Sequence, residues 1–288
     1  MLMKKTMIIS MIIVSIIIFA GHVTTAQDQK NEKIVNGSQR LDSNITIDLG
    51  HGVKIDMVKI SKGSFIMGSD QYSWAKHTVN ITQDFYIGKT EVTVAQWKNI
   101  LYVDSSYFKS GDNYPVEQVS WAECMRFIER LNAINQVYGT FRMPTEAEWE
   151  YACRAGTTTD YYFGTSSVSI GNYCWYFDNS GKTTHPVGQK SPNAWGLYDM
   201  GGNVWEWCGD WWVGSYLPDA ATDPVGLNTG IAKVFRGGAW NTYNTVRQNS
   251  GWYYNGAGCC RSADRGGGDP TYSYNFVGLR LALTPVNQ

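Results

Sequence analysis

Thirty-six residues near the C-terminus, 241–276, read NTYNTVRQNSGWYYNGAGCCRSADRGGGDPTYSYNF and contain no Leu, Ile, Met, Lys or Glu. Twenty-two of them are Gly, Asn, Tyr, Ser or Thr. Burial of aliphatic surface is what drives a core together, so this stretch cannot build one of its own. It has to be draped on a frame made by the rest of the chain. Its residue types are also those of recognition surfaces. Tyr and Trp supply contact area with few torsions to freeze, and Ser, Gly and Asn supply adaptable hydrogen bonding. Seven aromatics between Tyr243 and Phe276 would be an aggregation liability if left exposed without a purpose.

The frame is legible upstream. Three capping boxes, Ser or Thr followed three residues later by Glu or Gln, mark helix starts. Thr93 with Gln96 predicts a helix to about residue 101, and Ser120 with Glu123 a longer one to about 138. Thr145 with Glu148 predicts a short one through Cys153. Trp121, Met125, Ile128, Leu131 and Ile134 recur at helical spacing and are expected to face the core. Short strands are expected at 54–60, 65–67, 84–89, 233–236 and 277–283. Twelve Trp and thirty Gly suit a fold of tight turns pinned by large rings. The class predicted is α+β with little regular secondary structure, in one domain over 51–288. Basic and acidic residues nearly cancel, 24 against 25, and nothing in their distribution suggests a nucleic-acid partner.

The N-terminus reads as a targeting segment. Lys4 and Lys5 precede an apolar run over 7–20 broken only by Ser10 and Ser15, and Thr24, Thr25 and Ala26 offer small residues before Gln27. Residues 1–26 therefore read as a secretory signal peptide, since the run falls short of the roughly 20 residues that span a bilayer. An uncleaved anchor is the alternative. Residues 27–50 read as a polar linker. The expected location is secreted, periplasmic or cell-surface, with membrane contact only through the signal peptide or anchor. Cys124, Cys153, Cys174, Cys208, Cys259 and Cys260 make an even count, which permits disulfides in an exported chain. Buried thiols are the other reading. Cys259 and Cys260 are adjacent, so each would need a partner elsewhere.

Blocks of sequence recur in a recognisable order: GSFIMGS (63–69), EVT (91–93), PVEQVSW (115–121) and RMPTEAEWEYACRAG (142–156). PNAWGLYDMGGNVWEWCGDW (192–211), FRGGAW (235–240) and VGLRLAL (277–283) follow. The set resembles the sulfatase-modifying-factor family, whose founder is the formylglycine-generating enzyme. The resemblance implies a C-type-lectin-like fold. It does not carry over the chemistry. The family's oxidase uses two copper-binding cysteines five residues apart, just after the block matching FRGGAW. Thr242 and Arg247 stand at those positions, and neither offers the soft thiolate that Cu(I) requires. No copper is expected, and catalysis is disfavoured. His51, His77 and His185 are too dispersed for a three-histidine metal site.

The resemblance implies structural calcium at two places. The first set is Asp199, Gly202, Val204 and Glu206, where carboxylates and backbone carbonyls suit a hard cation. The second is Asn172, Tyr173, Asn179 and Gly181. Trp195, Trp205, Trp207, Trp211 and Trp212 lie inside family blocks and read as core staples, a carbohydrate-stacking platform being the alternative.

A subset of the family lacks the cysteine pair and carries Asn-rich loops between RGGSW-like, CRSAYR-like and GFRL-like scaffold blocks. These are the variable proteins of diversity-generating retroelements. There a reverse transcriptase mutates adenines, scattering Asn codons into Tyr, Ser, Asp, Thr and Gly. The stretch 241–276 resembles such a product, with loops at 241–244, 252–258, 266–269 and 271–274. The expected ligand-binding residues are Tyr243, Asn244, Trp252, Tyr253, Tyr254, Asn255, Asp269, Tyr272 and Tyr274. The expected partner is a macromolecule, a protein on another surface. The competing readings are a formylglycine-generating oxidase and an undiversified structural or adhesion protein of the envelope.

Overall fold

The computed structural model describes residues 44–70, 74–135, 137–216, 219–242, 245–246, 253–254 and 257–286. The signal-peptide reading falls outside them. In chain order the strands are β1 (Ile45–Asp48), β2 (Lys54–Ile60), β3 (Gly63–Ser69), β4 (Trp74–Ile81), β5 (Phe85–Gly88), β6 (Gly139–Arg142) and β7 (Trp205–Trp211). There follow β8 (Ala221–Thr222), β9 (Lys233–Arg236), β10 (Thr245–Val246), β11 (Tyr253–Tyr254), β12 (Arg265–Gly268), β13 (Val277–Gly278) and β14 (Ala282–Pro285). The α-helices are α1 (Val94–Leu101), α2 (Trp121–Ile134) and α3 (Glu146–Arg154). Strand order is β1-β2-β5-β14-β6 in one sheet and β12-β9-β7-β13 in a second; β3-β4-β8 and β10-β11 form smaller ones. This is the α+β class expected.

All three capping boxes form. Thr93, Ser120 and Thr145 each accept from the backbone three residues on, while Gln96, Glu123 and Glu148 reach back to the cap N–H. Each cap is worth about 1 kcal/mol. Helix α2 is shorter than expected and its buried face is rotated. It stops at Ile134, which is 62% exposed, and the fully buried stripe is Cys124, Phe127, Ile128 and Leu131. Trp121 and Met125 are only partly buried against that core. The stripe is set by Phe127, whose ring stacks on Trp97 of α1 at 5.0 Å.

Three strand boundaries depart from expectation for identifiable reasons. Residues 45–48, assigned to the linker, pair antiparallel with β2, because Ile47 alternates with polar neighbours and is fully buried. The run 277–283 splits into two strands. β13 pairs parallel with β7, whereas β14 pairs antiparallel with β5 and β6. Arg280, in the crossover, binds both sheets. Its guanidinium donates to Glu206 Oε1 at 2.7 Å, to the Gly88 carbonyl at 2.8 Å and to the Tyr198 carbonyl at 2.8 Å. The third departure is β12, which occupies part of the stretch expected to be variable.

Two hydrophobic cores fill the space between these elements, one around Trp97, Phe127, Trp205 and Leu279, the other around Ile60, Trp149, Leu197 and Val234. Trp207 is completely buried and Trp205 nearly so. They are core staples, as is Trp149, whose indole N–H donates to Glu206. Trp211 is part-exposed and, with Trp121, clamps the Lys233 ammonium at 4.0 and 4.3 Å from the ring centroids.

Candidate binding surface

The stretch 241–276 enters from β9 through two glycines in the left-handed region, Gly237 (φ 103°) and Gly238 (φ 78°). A β-carbon on Gly238 would lie 2.8 Å from the Cys259 carbonyl oxygen, so the entry turn is packed directly on the later part of the same stretch. Trp240 is then bolted at both ends of its peptide. Its N–H donates to the Asn203 carbonyl, its carbonyl accepts from Ser180 Oγ, and its indole N–H donates to the Asn275 carbonyl at 3.0 Å. The exit is fixed as firmly. The Tyr274 carbonyl accepts from Gln118 N–H and the Phe276 carbonyl from Trp205 N–H.

Between these anchors the stretch divides in two. Residues 258–266 are frame. Cys259, Cys260, Ser262, Ala263, Asp264 and Arg265 are all buried, and β12 pairs antiparallel with β9 in the register Arg265↔Arg236 to Gly268↔Lys233. The glycines of β12 are packing requirements. A β-carbon on Gly266 would fall 2.0 Å from the Phe235 ring, and one on Gly267 2.8 Å from the Trp212 ring. This corrects the expectation that 266–269 is a variable loop: no side chain fits at Gly266.

The outward part begins at Asp269. Its carboxylate is committed to its own turn, accepting from Thr271 N–H at 2.9 Å and Thr271 Oγ1 at 2.7 Å. These two bonds hold its pKa below the ordinary value. Asp269 therefore shapes the loop through one of its two carboxylate oxygens. Tyr272 is the large aromatic side chain this loop presents to solvent, at 63% exposure. Tyr274 is half-buried, with its ring 5.3 Å from Phe276 and 6.2 Å from Trp207, so it belongs partly to the core. Tyr243, Asn244, Trp252 and Asn255 lie outside the described residues. Tyr253 and Tyr254 are placed as strand β11, in the register Thr245↔Tyr254 and Val246↔Tyr253.

The surface extends past the stretch that composition singled out. Trp240 meets Phe108 edge-to-face at 5.1 Å, and Phe108 meets Tyr107 at 5.0 Å. Tyr107 is 58% exposed. Sequence reading missed these residues. The signal available was an aromatic pair inside a Ser/Gly/Asp loop, SSYFKSGDNY at 105–114.

Thr242, at the position of a catalytic thiol in the oxidase, is buried, and its Oγ1 accepts from Ala239 N–H at 2.8 Å. It is a turn residue. Arg247 lies outside the described residues. Among the described residues no group of three His, Cys, Asp or Glu side chains is disposed to hold a metal ion.

The first calcium quartet lies at the junction of the two larger sheets. Both oxygens of Glu206 accept from Arg280, and one also from Trp149, so this carboxylate is engaged already. Asp199 accepts from Gly188 N–H at 2.6 Å through one oxygen. Its other oxygen, and Glu91 Oε2, are buried without a hydrogen-bond partner outside this carboxylate pair. Burial raises the Asp199 pKa to about 6, and burial with the Asp199 charge raises that of Glu91 well above its usual value. Three buried carboxylates face one guanidinium, and the raised pKa values of Asp199 and Glu91, which hydrogen-bond each other, keep a shared proton between them. A hard cation would have to displace that proton to use Asp199 Oδ1 and Glu91 Oε2, since Glu206 is held by Arg280 and Trp149. Three members of the second quartet already have hydrogen-bond partners. The Asn172 carbonyl accepts from Ser191 N–H, the Tyr173 carbonyl from Tyr162, and the Asn179 amide spans Tyr176 N–H and the Cys174 carbonyl. The Lys190 ammonium donates to the adjacent Gly171 carbonyl.

Residues 52–285 match the family model for the sulfatase-modifying factor enzyme 1-like domain. The chaperone protein LppX of Paenibacillus barcinonensis is 29% identical over 67% of this chain and 82% of its own length. The formylglycine-generating enzyme of Streptomyces coelicolor is 32% identical over 59% of this chain and 52% of its own. Among solved structures, Treponema denticola variable protein 1 superimposes with a TM-score of 0.75 at 29% identity, covering 84% of this chain and 99% of that one.

Proposed function

The chain belongs to the sulfatase-modifying factor enzyme 1-like family, and from that premise we propose that it is an exported, non-catalytic binding protein. It displays an aromatic, Asn- and Gly-rich surface on a C-type-lectin-like frame. One observation carries this reading. The loop that follows FRGGAW, where the oxidase keeps its thiol pair, is built here as a bolted turn around Thr242. It leads into a stretch whose middle is frame and whose later loop presents Tyr272. Copper chemistry has no soft donor at Thr242. A rigid frame, by contrast, lowers the ordering cost of binding through loops. The segment's likeness in residue type to the products of diversity-generating retroelements, together with the solved variable protein as a structural neighbour, supports a diversified surface. The partner class that suits Tyr, Trp and Asn on a broad face is a protein surface, and the nearly balanced charge argues against nucleic acid.

Purified protein, loaded with Cu(I) under oxygen and offered a sulfatase-type cysteine peptide, is expected to leave the peptide unchanged in mass. Conversion of the cysteine to formylglycine would overturn the reading. Calcium at Asp199 and Glu91 is part of the same proposal. It would neutralise the buried carboxylates and brace the sheet junction beneath Arg280. Millimolar calcium is then expected to raise the thermal midpoint above that in chelator, and identical midpoints would remove calcium from the account.

A further inference from the structure

The six cysteines are all buried, and none is joined in a disulfide. Their surroundings differ. Cys259 and Cys260 are adjacent but face different interiors. Cys259 packs into the core around Trp97 and Phe235, and its thiol bonds to Asp264. Cys260 packs with Cys174, Tyr161 and Ile170 in a small third cluster. Cys153 points at the Met200 carbonyl, Cys208 at the Glu206 carbonyl, and Cys124 lies among the helices of the first core.

Cys174 and Cys260 converge on one point. The position a β-carbon of Gly201 would take lies 2.8 Å from Cys174 Sγ and 3.5 Å from Cys260 Cβ. The residue there is a glycine, which leaves room for the two side chains to meet. Both are completely buried, and their backbones are fixed, Cys174 N–H on the Ile170 carbonyl and Cys260 N–H on that of Ala257. We propose that Cys174 and Cys260 form a disulfide in the mature exported protein, tying the frame half of the 241–276 stretch to the loop after residue 170.

The chemistry is thiol–disulfide exchange with a disulfide donor of the exported compartment. One of the two cysteines, as thiolate, attacks a donor sulfur and releases the donor's first thiolate. The second cysteine, as thiolate, then attacks the mixed disulfide, the Sγ–Sγ bond forms and the donor leaves as a dithiol. Two electrons and two protons pass to the donor. The hydrogen bond with Cys174, followed by burial, pushes the Cys260 thiol well above its ordinary pKa. Only the thiolate is the nucleophile, so exchange belongs to the folding chain, before this cluster closes. Once formed, the bond is shielded from reductant by the same burial.

The test is refolding of the full-length chain from denaturant in a mixture of oxidised and reduced glutathione, followed by alkylation of remaining thiols and peptide mapping without reduction. The expected product is a linked peptide pair joining Cys174 to Cys260, lighter by two hydrogens than the separate peptides, with the alkylating tag on the other four cysteines. Because Cys259 is the neighbour, C259S should retain the link and C260S should lose it. Tags on both Cys174 and Cys260 in refolded protein, or a link from Cys174 to Cys259, would overturn the proposal. Glutathione supplies the oxidant, so this outcome is independent of export. A link formed in vitro but missing from protein recovered from cells would count against export and leave the pairing intact.

Discussion

Glu150→Ala is expected to destabilise the protein by about 3–5 kcal/mol, the usual cost of leaving buried charges without their partner. In a domain of this size that is roughly 10 °C in thermal midpoint. Glu150 is completely buried in the middle of α3. One oxygen accepts from Arg154 Nε at 2.8 Å and from Gly68 N–H at 3.0 Å, and the other pairs with Arg236. Arg236 also faces Glu146 at 3.3 Å, and Glu146 takes Arg265 through two further bonds of 2.6 and 2.7 Å. The chain of charges thus runs from β3 through α3 to β9 and β12. Removing the carboxylate leaves Arg154 with no carboxylate partner and Arg236 with Glu146 alone. Although burial alone would raise the Glu150 pKa, Arg236 and Arg154 hold it below the ordinary carboxylate value. A depressed folded-state pKa contributes stability above the unfolded-state value of about 4.5, and that contribution is lost as pH falls through the folded-state pKa. The gap between wild type and Glu150→Ala in urea midpoint should therefore be full at neutral pH and shrink in acid. An unchanged gap at pH 3 would mean that packing, not charge, sets the loss.

The second large effect separates frame from display within one short stretch. Gly266→Asn is expected to cost about 3 kcal/mol or more, at the upper end of overpacking penalties. The added side chain would be driven into the Phe235 ring, which Trp205 and Trp207 hold at 5.0 and 5.4 Å and which cannot retreat. Tyr272→Ala, six residues on and exposed, should change stability by no more than about 0.5 kcal/mol. Both are read from urea midpoints. Equal losses at the two positions would contradict the division of 241–276 into a packed frame and a presented loop.

Much of the architecture was readable because it is local. Capping boxes are four-residue signals, and all three marked real helix starts. The strands β2 and β9 were placed to the residue because apolar alternation in β2 and the block around β9 are continuous. What escaped is non-local. β12 reads RGGG, and its glycines look like loop composition; only the rings of Phe235, in β9, and Trp212, just after β7, show why nothing larger fits. The crossover at Arg280 looked like the middle of one strand because VGLRLAL is apolar on both sides of the arginine, and the break is forced by pairing to two different sheets. Helix α3 carries four charged residues of nine that are nevertheless buried, so no hydrophobic pattern could have announced the ion-pair network. At the candidate site, the composition of 241–276 pointed to a surface, but it could not tell display from frame. It also missed Tyr107 and Phe108, which reach the same face from a distant loop.

If this frame presents a diversified surface, sequencing of the coding region with its downstream flank across many cells of a growing population will reveal it. Substitutions are expected at adenine positions, concentrated in the codons of Tyr243, Asn244, Trp252 to Asn255 and the 271–274 loop. Constancy is expected at Gly266, Cys260 and Thr242, with a near-identical downstream repeat beside a reverse-transcriptase gene. An invariant region with no repeat, or variation falling as heavily on Gly266 and Cys260 as on Tyr272, would contradict a diversified surface.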